Sequence, residues 1–381
     1  MSLASEESFE NLYGYKPGEL YFSPGRVNLI GEYTDIAGGH VLPMAIRLGI
    51  EASVSIRKDR KIRISSLGST QIFDLDDLNK SEVSWLNYVI GEFYMFRSHG
   101  IELDEGLDIA LMSSLPQGSG LSSSACLEVL IGTIINDHSL KKVTDFDIVS
   151  YSKEVENSFL GLSSGIMDQF ACKLGRKEMC ILLDTKSLEY KLIPFRLGDN
   201  DLVIMNSNKH RSLTESKYND RVREMKEGLA DLKPYLDFNQ ACDISLEDLE
   251  KYKGRIRNPL SYKRIKHLIS DNLRVLEAGK LLSAGRIDEF AGVLNKGQRS
   301  VSEDFEVSGK ELDTLCGLAI EKGAKGARMT GAGFGGCAIF ISGKKKTDEI
   351  IDYVTENYEK QIGLKCECYK ADACDGARRI G

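Results

Sequence analysis

The sequence predicts a two-domain protein that mixes strands and helices. Three observations carry that prediction. The chain has 381 residues, and at roughly 100–200 residues per domain that length suits two domains. Its texture changes near 195–205: strands, turns and apolar helices precede this point, and charged helical segments follow it. Units of 1–200 and 201–381 are therefore expected. Finally, the stretches 23–39, 115–125 and 326–337 each combine glycines with charged or hydroxyl residues. One glycine-rich loop is weak evidence, whereas three in one chain are hard to explain as turns alone.

The elements follow in order. Leu20-Tyr21-Phe22 reads as a strand leading into Ser23-Pro24-Gly25, and Val41–Ile46 follows a turn at Gly38-Gly39. Glu51–Ile56 and Ile62–Ile64 look like the two strands of a hairpin. Trp85 opens a helical pattern that runs to Ser98. Leu107–Met112 alternates as a strand, and Leu127–Ile135 is apolar and suits a helix. A second helix is expected over 145–160, with Val149, Val155 and Phe159 at helical spacing and Gly161 as its stop. Strands are expected at 180–183, 188–193 and 202–205. Helices are expected over 213–233, roughly 261–300, and 311–322. The strand Ala338–Ile341, a helix near 346–360 and a strand near 366–370 finish the chain.

Composition excludes several classes. Hydrophobic content of 42% and charged content of 28% are ordinary for a globular protein. A net charge of −7 argues against nucleic-acid or membrane-surface partners. No apolar run approaches the roughly 20 residues of a membrane span. No basic segment with an apolar core opens the chain, so no secretory leader is expected. Met1-Ser2-Leu3 has the form of a cloning remnant and is set aside. The 9 cysteines include no Cys-x-x-Cys pair and lie mostly in apolar surroundings. They read as reduced thiols packed as small apolar residues, which points to the cytoplasm.

The stretch Leu115–Ala125 organises the chemistry. It lies between a strand and a helix, so Gly118 and Gly120 would let backbone N–H groups approach an anion at the helix start. The residues equally permit an ordinary turn with a serine N-cap. Known nucleotide loops do not fit: there is no Gly-x4-Gly-Lys-Ser/Thr, and Ser123 breaks a Gly-x-Gly-x-x-Gly reading. Gly161-Leu162-Ser163-Ser164-Gly165 matches a hydrolase pattern, but a helix precedes it where a strand is needed. Asp168, flanked by Ile166, Met167 and Phe170, is a candidate base whose acidity depends on burial and any nearby arginine. Glu156 and a serine hydroxyl form a hard-oxygen set suited to Mg2+. His40, His99, His138, His210 and His267 show no ligand spacing and read as structural.

The three stretches, in this order and at these separations, resemble the GHMP kinases and, among them, the galactokinases. Pro24–Glu32 is similar to the galactokinase N-terminal signature, Leu115–Glu128 to the second GHMP motif and Arg328–Cys337 to the third. Trp85-x-Asn87-Tyr88-Val89 and Gly165-Ile166-Met167-Asp168-Gln169 match as well. The resemblance covers about 20–377. It implies an α+β, two-domain GHMP-kinase fold with the active site in the cleft between domains. It also implies transfer of the ATP γ-phosphoryl group to the anomeric hydroxyl of galactose. By position, Asp168 would be the catalytic base and Arg26 its partner. Ser124 and Glu156 would hold Mg2+. The N–H groups of Gly118, Ser119, Gly120, Leu121, Ser122, Ser123 and Ser124 would wrap the phosphates, and Trp85 would sit beside the adenosine. Glu32, Tyr33, Asp35, Gly165 and Tyr218 would contact the sugar.

Three positions depart from the family pattern. Tyr33 stands where histidine is usual, and Ser164 where cysteine is usual; Ile36 follows Asp35 where the family has tyrosine. These bear on which sugar is taken, not on the reaction. Glu32 disfavours a uronic acid by charge. A related kinase for another sugar, and a non-catalytic sugar and ATP sensor, are the alternatives. The sensor class is disfavoured because the loop and the base are both intact.

Overall fold

Residues 2–162, 164–209 and 214–381 are described by the structure, a computed structural model. Helix α1 (Ser2–Tyr13) leads into β1 (Glu19–Asn28), β2 (His40–Val41), β3 (Pro43–Ile56), β4 (Lys61–Ser66) and β5 (Ser69–Asp74). Then come α2 (Leu86–Ser98), β6 (Leu107–Ser113), α3 (Ser123–His138), α4 (Asp145–Glu154) and α5 (Met167–Leu174). Strands β7 (Met179–Asp184), β8 (Tyr190–Pro194) and β9 (Asn200–Asn206) follow. Next are α6 (Thr214–Leu232), α7 (Leu246–Tyr252), α8 (Pro259–Ser283), α9 (Ile287–Ser300) and α10 (Gly309–Glu321). The chain ends with β10 (Gly326–Thr330), β11 (Cys337–Gly343), α11 (Lys344–Ile362), β12 (Glu367–Ala371) and β13 (Arg378–Arg379).

Among the described residues the strands form sheets in the orders β13-β1-β3-β6-β4-β5, β10-β11-β9-β12 and β2-β7-β8. Strand β9, at the change of sequence texture, enters the second sheet. The C-terminal strand β13 returns to pair with Tyr21 and Phe22 of β1. Leu202 and Ile204 of β9 face the core shared with α2 and α3, while Val203 and Met205 face the core under α6, α8 and α10. Both faces are covered, which is why this strand is an unbroken apolar run rather than an alternating one.

Several expectations are corrected. Residues 51–56 and 62–64 are not a hairpin: β6 lies between β3 and β4, antiparallel to one and parallel to the other. Buried Asp108 of β6 ties it to both sides, accepting from Arg57 Nη1 just after β3 and from Arg63 Nε of β4, each at 2.7 Å. Alternation identifies a strand but not its distant partner. The helix expected over 145–160 changes to a π-helical turn at Val155–Leu160 before stopping at Gly161 (φ 79°). The segment 261–300 is broken by Gly285 (φ 69°) into α8 and α9. Helix α1, which begins inside the residues set aside at the N-terminus, α5 and α7 were not anticipated, nor was β10 inside the third glycine stretch. Among the described residues no helix is long and apolar enough to cross a membrane. No disulfide joins the described cysteines.

Candidate active site

The site is built on a bulge in β1. The β1–β3 register shifts between Pro24 and Gly25, beyond the short β13 partner, so Pro24's missing N–H breaks no ladder. A side chain at Gly25 would place its Cβ 2.6 Å from the carbonyl oxygen of Leu121. Glycine therefore lets the loop before α3 lie directly on β1, and Arg26 N–H donates to that carbonyl at 3.1 Å. Gly118 (φ 68°) and Gly120 (φ 73°) supply the left-handed turns that the loop needs.

Arg26, 5% exposed, reaches from β1 to the first turn of α5. Its Nε and Nη2 donate to Oδ1 and Oδ2 of Asp168, each at 2.8 Å, and its Nη1 donates to the Gly120 carbonyl at 2.8 Å. One guanidinium thus ties the candidate base to the glycine turn through a bidentate fork. Ser122 adds a third donor to Asp168 through its hydroxyl. This overturns the serine N-cap reading: Ser122 sits at the α3 N-cap with φ 63°, but its side chain makes no cap bond.

The remaining candidates converge on the other side of Asp168. Arg26, Glu32, Tyr33, Asp35, Glu156, Gly165, Asp168 and Tyr218 line one cavity of about 190 Å³, with Gly331 and Ala332 of the third glycine stretch. Pockets for drug-sized ligands run to roughly 300–1,000 Å³, so this one suits a smaller molecule. A larger cavity, about 550 Å³ beside Arg47 and Lys344, contains none of these groups. Glu32 is buried and accepts from Arg328 Nε at 2.9 Å. Tyr33 (φ 67°) packs against Tyr218 and Phe305, with ring centroids 5.4 and 4.6 Å away, and its hydroxyl donates to the Ala332 carbonyl at 2.6 Å. Gly165 lies so close to Asp35 that a Cβ there would sit 2.0 Å from Oδ2.

Asp35 is partly open to the cavity, yet its carboxylate is enclosed. Burial, then the charge of Asp168, pushes its pKa up to about 6. A carboxylate is charged above its pKa, so kcat/KM is expected to fall as pH drops below about 6. The limiting slope is roughly tenfold per pH unit. A pH–rate profile of Asp35→Asn should lose that limb; an unchanged limb would assign the titration elsewhere. Burial also pushes the Tyr218 hydroxyl up to about 12, with Asp35 adding to the effect.

Glu156 is not the solvated helix glutamate that the sequence permitted. It is 8% exposed. Burial raises its pKa, opposed by the Ser164 hydroxyl that donates to Oε2. Lys153 Nζ donates to Ser164 Oγ at 2.6 Å and lies 3.9 Å from Glu156. Lys153 was missed in the sequence, although its i,i+3 spacing to Glu156 on a helical pattern was a usable signal. Among the described residues no group of three or more His, Cys, Asp or Glu could hold a metal alone. The donor set instead fits Mg2+ shared with phosphates, which takes one or two protein oxygens and fills the rest from phosphate and water. Glu156 offers an enclosed carboxylate for this, and Ser124 a hydroxyl in the first turn of α3.

Not every candidate lines the cavity. Trp85 packs partly buried at the start of α2, and none of the residues 118–124 is among those lining the cavity; the loop is joined to it through the Arg26–Gly120 and Ser122–Asp168 bonds. His40 contacts Asn272, His99 and His138 lie beside Glu154 and Glu19, and His267 beside Ser300. His210, Ser163 of the hydrolase-like pattern, and Ser212-Leu213, which helped to align Tyr218, lie outside the described residues.

The fold and this site together define a GHMP kinase. Residues 87–176 match the family model for the GHMP kinase N-terminal domain, and residues 278–360 that for the C-terminal domain. Residues 7–56 match the galactokinase galactose-binding signature. The chain is 43% identical to galactokinases of Clostridium perfringens and Enterococcus faecalis, over 98% of this chain and of each relative. Its structure superposes on the crystal structure of Lactococcus lactis galactokinase complexed with galactose with a TM-score of 0.94, at 38% identity and full coverage of both chains. The chain belongs to the galactokinase family.

Proposed function

We propose that this protein transfers the γ-phosphoryl group of ATP to the anomeric hydroxyl of galactose, giving galactose 1-phosphate and ADP. The observation that carries the reading is the Arg26–Asp168 fork, which joins the glycine turn at the start of α3 to the cavity lined by Glu32, Tyr33, Asp35, Gly165 and Tyr218. Asp168 accepts the anomeric hydroxyl proton. The sugar oxygen bonds to the γ-phosphorus as the bond to the bridging oxygen breaks, and ADP leaves. Arg26 holds the carboxylate in place and stabilises charge near the transferring group. Glu32 and Asp35 accept sugar hydroxyls, and Tyr33, Tyr218 and Gly165 shape the wall. Backbone N–H groups of 118–124 surround the phosphates at a helix N-terminus, and Trp85 lies beside the adenosine.

Ser124 and Glu156 would hold Mg2+, which neutralises phosphate charge when bound. The free thiols support a cytoplasmic location. Residues 1–200 and 201–381 are the two units that enclose the substrates, except that the final strand β13 returns to the sheet of the first unit. ADP release should be observed with galactose and Mg-ATP and lost with a chelator, with phosphorus NMR showing an anomeric phosphate. A screen of hexoses, pentoses and uronic acids tests the sugar: no preference for galactose would overturn the assignment.

A further inference from the structure

Arg328 takes no part in the reaction above, yet it governs a wall of the sugar cavity. It lies in β10 with its side chain fully buried. Nε and Nη2 both donate to Oε2 of Glu32, while Nη1 and Nη2 donate to Oδ1 and Oδ2 of Asp271 on α8 at 3.2 and 2.8 Å. Asp271 is also fully buried and accepts from Arg274 Nη1 at 3.1 Å. On the remaining side, α9 presents Gly297, where a Cβ would lie 1.9 Å from Arg328 Nη1. A planar guanidinium bound at two edges and walled by a glycine cannot turn without breaking buried bonds.

The consequence falls on Glu32. Its Oε2 is taken twice by Arg328, which leaves Oε1 to accept the Gly331 N–H at 3.4 Å, in a residue that lines the cavity. Burial pushes the Glu32 carboxyl up, with the Arg328 charge opposing that shift and the Asp271 charge adding to it. His267, held neutral by burial with a pKa down to about 4, lies 3.4 Å from the Glu32 carbonyl and fixes the backbone.

We propose that Arg328 and Asp271 are positioning residues for sugar recognition: Asp271 fixes the Arg328 guanidinium, which presents one Glu32 carboxylate oxygen to a hydroxyl of an uncharged sugar. The proposal rests on the cavity being the galactose site. A fully buried side chain of the C-terminal sheet thereby sets the geometry of an N-terminal loop.

The test is a double-mutant cycle on the full chain. Asp271→Asn keeps the volume but has one acceptor oxygen for three N–H groups. It should raise the galactose KM about tenfold, with kcat and the ATP KM within about twofold. In a Glu32→Gln background the same substitution should add less than about twofold, because contacting residues that act through one another are not additive. Equal effects in both backgrounds, or an equal rise in the ATP KM, would overturn the positioning role. If Asp271→Asn does not fold, Gly297→Ala displaces the guanidinium with every charge kept and is read the same way. Wild-type protein that turns over no galactose removes the reading of the cavity; wild-type turnover with an unchanged KM in a folded Asp271→Asn removes only this proposal.

Discussion

Asp168→Asn should lower turnover by roughly 10²–10⁴-fold, the usual range for a lost general base, in a chain that still folds. Asparagine matches the size of the carboxylate but carries no charge and cannot accept a proton at neutral pH. It also cannot accept both arms of the Arg26 fork, since one of its terminal atoms is now a donor. Arg26 is nearly buried while Asp168 is 31% exposed, so the variant leaves a cation short of its partner at the edge of a cavity rather than deep in the core. The loss of stability should therefore stay below the roughly 3–5 kcal/mol seen when a fully buried pair is broken. Coupled ADP release gives the rate and circular dichroism the fold. A folded variant with wild-type turnover would remove Asp168 as the base.

Gly165→Ala should raise the galactose KM by more than tenfold. The added methyl carbon would meet Asp35 Oδ2 at 2.0 Å, about half an ordinary contact distance. Asp35 has little room to yield. It lies in the turn Thr34–Ala37, which is closed by Gly38 and Gly39. Gly38 has φ 68°, and a Cβ at Gly39 would lie 2.8 Å from Cys242 Sγ. Either the carboxylate swings out of the cavity or the segment before α5 moves and carries Asp168 with it. The KM-to-kcat split separates these outcomes, because only the second lowers kcat as far as it raises KM. Nucleotide binding, followed by fluorescence of Trp85, the single tryptophan, should be unchanged. A galactose KM within twofold of wild type would show that this close approach does not matter.

Much of the site was legible because its parts are local. Gly118 and Gly120 mark positive φ, the strand before them and the helix after them follow from periodicity, and Asp168 stands out as an acid among apolar neighbours. The roles of Ser122 and Lys153 were not legible. Ser122 reads as an N-cap until its side chain is seen on Asp168, and Lys153 reads as surface charge until Ser164 folds back over it. The third glycine stretch reads as a loop, although its first residues form β10, because the alternating Ala327-Arg328-Met329-Thr330 is short and runs straight into the glycines that follow it.

The sequence alone determined the kinds of element, the turn chemistry and the family, since each depends on short-range sterics or on motifs within a few residues. Only the tertiary structure decided which groups meet. Arg26 and Asp168 are 142 positions apart, and Glu32 and Arg328 are 296 apart. Their pairing depends on a bulge at Gly25, a clearance at Gly297 and the order of strands in two sheets. The physical reason is that dihedral preference and hydrophobic period act along the chain, whereas charge pairing and close packing act across it.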